Sequence, residues 1–125
     1  MGKRVLVVVD DEASLLKVTL LRLNKSGYEA FGAADGHTGL ELARQKMPDL
    51  IILDVLLPDI NGDEVAKILK KDEKLKSIPI ILISAEIETL AERARESGVE
   101  GYLPKPFDTK DLLTTIEKHL STRAK

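Results

Sequence analysis

Residues 50–62 read LIILDVLLPDING, and the first five of them decide the fold. Leu50–Leu53 is a continuous apolar run of strand-forming type, as expected of a strand covered on both faces. Asp54 follows at once, with Val55 behind it. An ionised carboxylate inside an apolar run costs heavily unless it is partnered, so Asp54 is read as functional rather than structural.

Working outward, Val5–Val9 is a second run of this kind, and Ile80–Ile83, just after Pro79, is a third. Tyr28–Ala33 and Tyr102–Leu103 are strands by position more than by composition. Helical periods lie between them. Ala13, Leu16, Leu20 and Leu23 mark the first helix, and Gly36, Leu40, Ala43 and Met47 the second. Val65, Ile68 and Leu69 mark a third, Ile87, Leu90, Ala91 and Ala94 a fourth, and Leu112, Leu113, Ile116 and Leu120 a fifth. Asp35 and Asp108 stand where a side-chain oxygen can cap a helix. Gly27 and Gly98 stand where helices should stop, because glycine tolerates the left-handed conformation. Strand and helix alternate five times, which implies an α/β unit: a parallel sheet with helices on both faces. The tail Ser121–Lys125 leaves no room for more, so residues 1–125 are read as a single domain.

Composition narrows the function classes. The chain has 125 residues, 43% of them hydrophobic and 32% charged, as in ordinary globular proteins. It has no cysteine, which excludes disulfides, thiolate metal sites and a cysteine nucleophile. A net charge of −2 gives no reason to expect nucleic acid or an anionic membrane as partner. No apolar run approaches the ~18–20 residues of a membrane helix, and no leader is visible, so a cytoplasmic protein is expected. His37 and His119 have no metal-ligand spacing and are read as surface residues. The charged stretches Lys67–Lys76 and Glu86–Glu96 are read as solvated helix faces.

In open parallel sheets, ligands bind outside the carboxyl ends of the strands. Strand one ends in Asp10 and Asp11, strand three in Asp54 and strand four in Ser84, while Lys105 follows strand five within two residues. Three carboxylates brought together repel one another unless a cation offsets them, and a hard divalent cation such as Mg²⁺ does so best. With Lys105 as fixed positive charge and Ser84 as donor, the set suits a transferring phosphoryl group, with a carboxylate as nucleophile.

These residues carry a resemblance. Asp10-Asp11, the segment Asp54–Gly62, Ser84-Ala85 and Lys105-Pro106-Phe107, in this order and at these separations, resemble the receiver domain of bacterial two-component response regulators. The likeness runs from about residue 3 to about residue 120. It implies a flavodoxin-like doubly wound (βα)5 fold with a five-stranded parallel sheet of order 2-1-3-4-5. It implies Asp54 as phosphoacceptor, Asp11 as a direct Mg²⁺ ligand, Asp10 as a ligand mostly through water, and the Leu56 backbone carbonyl as a further one. Ser84 and Lys105 would contact the phosphoryl oxygens, Tyr102 would follow Ser84 in the switch, and the Lys105–Pro106 bond would be cis. The implied donor is a histidine kinase or phosphotransfer protein, and the output is a protein target, with no attached output domain.

Helix one carries more apolar residues than one buried stripe needs. Leu15, Val18 and Leu21 lie off the stripe and are candidates for docking the phosphoryl donor. The approach to strand five lacks the paired acids of receivers that dimerise, and helix five lacks their arginine, so a monomer is expected. Other classes fit less well. Aspartate-based phosphatases place a second acid two residues after the nucleophile, where Leu56 stands. A flavin phosphate would be repelled by Asp10-Asp11-Glu12. No P-loop motif is present. A receiver-fold scaffold that works without phosphorylation is the remaining alternative. Catalysis is expected only on the chain itself, in gaining and losing its own phosphoryl group.

Overall fold

The computed structural model describes residues 2–123. Five strands alternate with five helices: β1 Val5–Val9, α1 Ala13–Lys25, β2 Glu29–Ala33, α2 Gly36–Lys46, β3 Leu50–Asp54, α3 Gly62–Lys71, β4 Ile80–Ser84, α4 Ile87–Ser97, β5 Gly101–Pro104 and α5 Thr109–Arg123. The strands form one parallel sheet of order β2-β1-β3-β4-β5, as the resemblance implied. Of the tail read as Ser121–Lys125, the first three residues continue α5, and Ala124 and Lys125 lie outside the described residues.

Register explains why the central strands read as unbroken apolar runs. Val7, Ile51 and Ile80 pair across the sheet, as do Val8, Ile52 and Ile81. Val7, Val9, Ile51, Leu53, Ile80 and Leu82 point to the layer of α2, α3 and α4, where Leu40, Val65, Leu69 and Leu90 meet them. Leu6, Val8, Leu50, Ile52, Ile81 and Ile83 point to α1 and α5, against Leu23, Leu112 and Ile116. Both faces are covered, so alternation would have left half of each strand polar and buried.

The caps behave as expected at both ends. Asp35 accepts from the Thr38 N–H at 2.7 Å, and Asp108 from the Asp111 N–H at 2.8 Å. Gly27 and Gly98 take φ of 99° and 76° past the ends of α1 and α4. Some stripes are narrower than periodicity predicted. Met47, Ile68, Ile87 and Ala91 are exposed, because α2, α3 and α4 meet the sheet along only part of each helix.

Two expectations about charged stretches are corrected. Lys70 is not on a solvated face. Its ammonium donates to the Ile78 carbonyl at 3.0 Å and to both oxygens of Glu100, and Glu100 also accepts from the Ile80 N–H at 2.8 Å. Arg93 likewise reaches from α4 to Asp63 on α3 at 3.0 Å. Glu100→Ala leaves the Lys70 ammonium, still on the Ile78 carbonyl, without its counter-ion, and the Ile80 N–H without its acceptor. It is expected to cost about 1–2 kcal/mol, because the carboxylate is partly in water, and urea denaturation measures it.

Candidate functional site

The carboxyl ends of β1, β3 and β5 converge, and the backbone ladder continues past them. The Asp10 N–H donates to the Ala33 carbonyl, that of Val55 to Ile83, and that of Lys105 to Ser84. These bonds fix the first residue beyond each strand, so the polar side chains there start from rigid positions. Asp54 and Asp10 are 4% and 2% exposed, and Asp11 is in solvent. Each of the three carboxylates offers an oxygen within 4.8 Å of the others.

Lys105 closes the cluster. Its ammonium lies 2.8 Å from Asp54 Oδ2, 3.1 Å from Asp10 Oδ2 and 3.4 Å from Glu12 Oε1. Glu12, which the sequence reading left out, joins because the chain turns at Asp10, whose Oδ1 accepts from the Glu12 N–H at 3.0 Å. That bond also shows what Asp10 does locally: α1 begins only at Ala13, and Glu12 rather than an aspartate precedes it.

The two oxygens of Asp54 differ. Oδ2 is paired with Lys105, and Oδ1 accepts from the Leu56 N–H at 3.1 Å. Burial pushes the Asp54 carboxyl up to about 6; Lys105 draws it down and Asp10 raises it again. For Lys105, burial favours the neutral amine, but Asp54 and Asp10 outweigh it and raise its pKa. One ammonium thus balances two buried carboxylates, with Asp11 beside them. An all-oxygen donor set with excess negative charge suits a hard divalent cation such as Mg²⁺.

The other predicted residues stand further out. Ser84 is buried at the end of β4, and its Oγ accepts from the Glu86 N–H at 3.0 Å. Tyr102 is 48% exposed on β5. The Lys105–Pro106 bond is cis. Leu15 is half-buried and lines a groove of about 330 Å³ with Glu12, Ala85, Lys105, Pro106 and Phe107. Val18 and Leu21 are exposed on the same helix. His119 was expected at the surface, but it is half-buried with its ring against Gly101, where a Cβ would lie 2.5 Å from Nε2.

Asp59 was missed altogether. It sits in the loop between β3 and α3, and its oxygens accept from the N–H groups of Gly36 at 2.8 Å and His37 at 2.9 Å. The His37 ring adds a further bond. Partial burial works against the charge, but the donors from Gly36 and His37 outweigh it and hold the carboxyl well below the usual range. Its partners lie more than 20 residues away in the chain, which leaves no local signal.

The comparisons agree with this architecture. The family described as response regulator receiver domain matches residues 6–117. The polar-differentiation response regulator DivK of Brucella ovis is 40% identical over 123 residues, covering 96% of this chain and 98% of that one. The chemotaxis protein CheY4 of Vibrio cholerae has 31% identity and a TM-score of 0.87, over 94% of this chain and 98% of that one. A CheY-like receiver domain protein from Methanospirillum hungatei superposes with a TM-score of 0.90 at 26% identity, over 98% of each chain.

Proposed function

This chain belongs to the response regulator receiver family, and on that premise we propose that it is a switch thrown by phosphorylation of Asp54. The observation that carries the reading is the buried Asp54 carboxylate, paired with Lys105 at 2.8 Å inside a three-carboxylate cluster. A carboxylate held at a strand end, with one oxygen on an ammonium and the other on a backbone N–H, is an aligned nucleophile.

In the forward step an Asp54 oxygen forms a bond to phosphorus as the P–N bond of a donor phosphohistidine breaks. The imidazole nitrogen keeps the electron pair. Lys105 stays beside the new oxygens and offsets their charge, and Ser84 turns its hydroxyl from the Glu86 N–H towards them. Asp10, Asp11, Asp54 and the Leu56 carbonyl would hold Mg²⁺, which would supply the remaining neutralisation. In the reverse step water attacks phosphorus, the Asp54 O–P bond breaks, and phosphate leaves.

The donor is a histidine kinase or phosphotransfer protein. The groove bordered by Leu15 and Phe107, with the exposed Val18 and Leu21 alongside, is apolar surface next to Asp54 on which such a partner can sit. Movement of Ser84 frees the space that Tyr102 can enter, so the face of α4, β5 and α5 changes shape and alters binding of a downstream protein. The chain acts as a cytoplasmic monomer and catalyses only its own phosphorylation and dephosphorylation. No helix among the described residues is long and apolar enough to cross a membrane.

The test is intact mass after incubation with acetyl phosphate, with and without Mg²⁺. One phosphoryl adduct that requires Mg²⁺ is expected, and borohydride reduction should map it to Asp54. An adduct on any other residue, or none from either acetyl phosphate or a phosphorylated kinase, would sink the reading.

A further inference from the structure

The loop between β3 and α3 runs from Val55 to Asn61, and the chain is tied back to its base on either side of it. The Leu56 N–H donates to Asp54 Oδ1, and the Gly62 N–H donates to the Val55 carbonyl at 2.7 Å. Neither bond holds the outer turn, residues 57–61. Asp59 does. Its Oδ1 accepts from Gly36 and from its own neighbour Ile60, and its Oδ2 accepts from the His37 N–H and ring. The first two N–H groups of α2 are therefore used by a carboxylate from another element, while Asp35 takes the third. Apolar contact backs this up: a Cβ on Gly36 would lie 2.3 Å from Ile60 Cγ2, so Ile60 is seated directly on the start of α2.

We propose that Asp59 is a positioning residue for the metal-assisted phosphoryl transfer, fixing the loop that presents the Leu56 carbonyl by clamping it to the N-terminus of α2. The inference rests on the function proposed above. A carboxylate at a helix N-terminus is favoured by the helix dipole and by charge-assisted bonds to backbone N–H groups, so the clamp is stiff. A loop released at Asp59 keeps the Leu56 N–H on Asp54 but lets the Leu56–Leu57 peptide, which carries the carbonyl, turn with residues 57–61. Outer-shell restraints of this kind typically govern metal affinity.

The test compares the full chain with Asp59→Ala and Asp59→Asn. Mg²⁺ affinity is measured by isothermal titration calorimetry, and labelling by acetyl phosphate is measured at saturating Mg²⁺. Asp59→Ala is expected to weaken Mg²⁺ binding by about tenfold, the lower end of outer-shell effects, with the saturated labelling rate nearly unchanged. Asp59→Asn, which keeps an oxygen for the Gly36 N–H, should fall between, and it decides the matter alone if the alanine variant does not fold. A purely structural role would lower the melting temperature and leave Mg²⁺ affinity as it was, which would overturn the proposal. Failure of the unsubstituted chain to bind Mg²⁺ or take up label is a separate result, and it would overturn the functional reading itself.

Discussion

Asp54→Asn is expected to take up no phosphoryl group and, without a divalent cation, to be more stable at neutral pH than the parent chain. The first half follows from chemistry, since an amide oxygen is not the nucleophile that a carboxylate is. The second half follows from burial. With the Asp54 carboxyl raised to about 6 from an ordinary value of 3.8, the folded state holds its proton more tightly than the unfolded one. Above pH 6 the ionised, buried form carries a penalty of about 3 kcal/mol, at 1.36 kcal/mol per pH unit. Asparagine has the shape of the protonated acid and escapes it, so a gain on the order of 1–3 kcal/mol is expected in urea denaturation at pH 7.

The sign gives the pH dependence. Below about pH 3.8 both states are protonated at Asp54, and its contribution to stability is whole. As pH rises through 6 the folded state must release a proton that the unfolded state has already lost, and that contribution disappears. His119 acts in the opposite direction. Burial lowers its pKa below 6.5, with Lys118 adding to the effect and Glu100 opposing it, so acid favours unfolding there. The readout is therefore the difference between the two proteins. The advantage of Asp54→Asn should be full at pH 7.5 and shrink towards zero by about pH 4. An advantage that is flat with pH, or a loss of stability at pH 7, would show that burial does not leave the ionised Asp54 strained because Lys105 offsets it in full.

The sheet and most of the carboxylate cluster were legible in the chain because both depend on short-range facts. A run such as Leu50–Leu53 can be satisfied only between two layers, and Asp54 behind it has no apolar excuse. Strand ends in a parallel sheet share one edge, so finding Asp10, Asp11, Asp54 and Lys105 at those ends was enough to bring them together. What stayed hidden depends on pairing between distant elements. Lys70 and Glu100 look like any other helix and loop charges until α3 and β5 are set either side of β4. Asp59 reads as one more loop acid, and Glu12 as one more acid ahead of the first helix. His119 reads as a surface residue because nothing local reveals that Gly101 leaves room for its ring.

Gly62 carries the largest expected effect on stability, and for a reason unrelated to backbone torsion. A Cβ there would lie 1.9 Å from the Asp54 carbonyl oxygen, 2.7 Å from the Asp54 carbonyl carbon and 3.1 Å from Val55 Cα. All three are backbone atoms of β3 and the residue after it, so no rotamer can relieve the clash. The Gly62 N–H also donates to the Val55 carbonyl at 2.7 Å, so drawing α3 away breaks a buried bond. Either β3 moves, taking Asp54 out of line with Lys105, or α3 lifts from the core through Val65 and Leu69. Gly62→Ala is therefore expected to cost about 3 kcal/mol or more, a large share of a domain's margin. Gly98→Ala is the control. No heavy atom approaches within 4 Å of a Cβ there, and the cost comes from φ of 76°, about 1 kcal/mol. Urea denaturation of the two variants separates crowding from torsional strain. A Gly62→Ala midpoint no lower than that of Gly98→Ala would mean that the loop and α3 yield together without disturbing β3, and the phosphoacceptor would then be less rigidly seated than this packing implies.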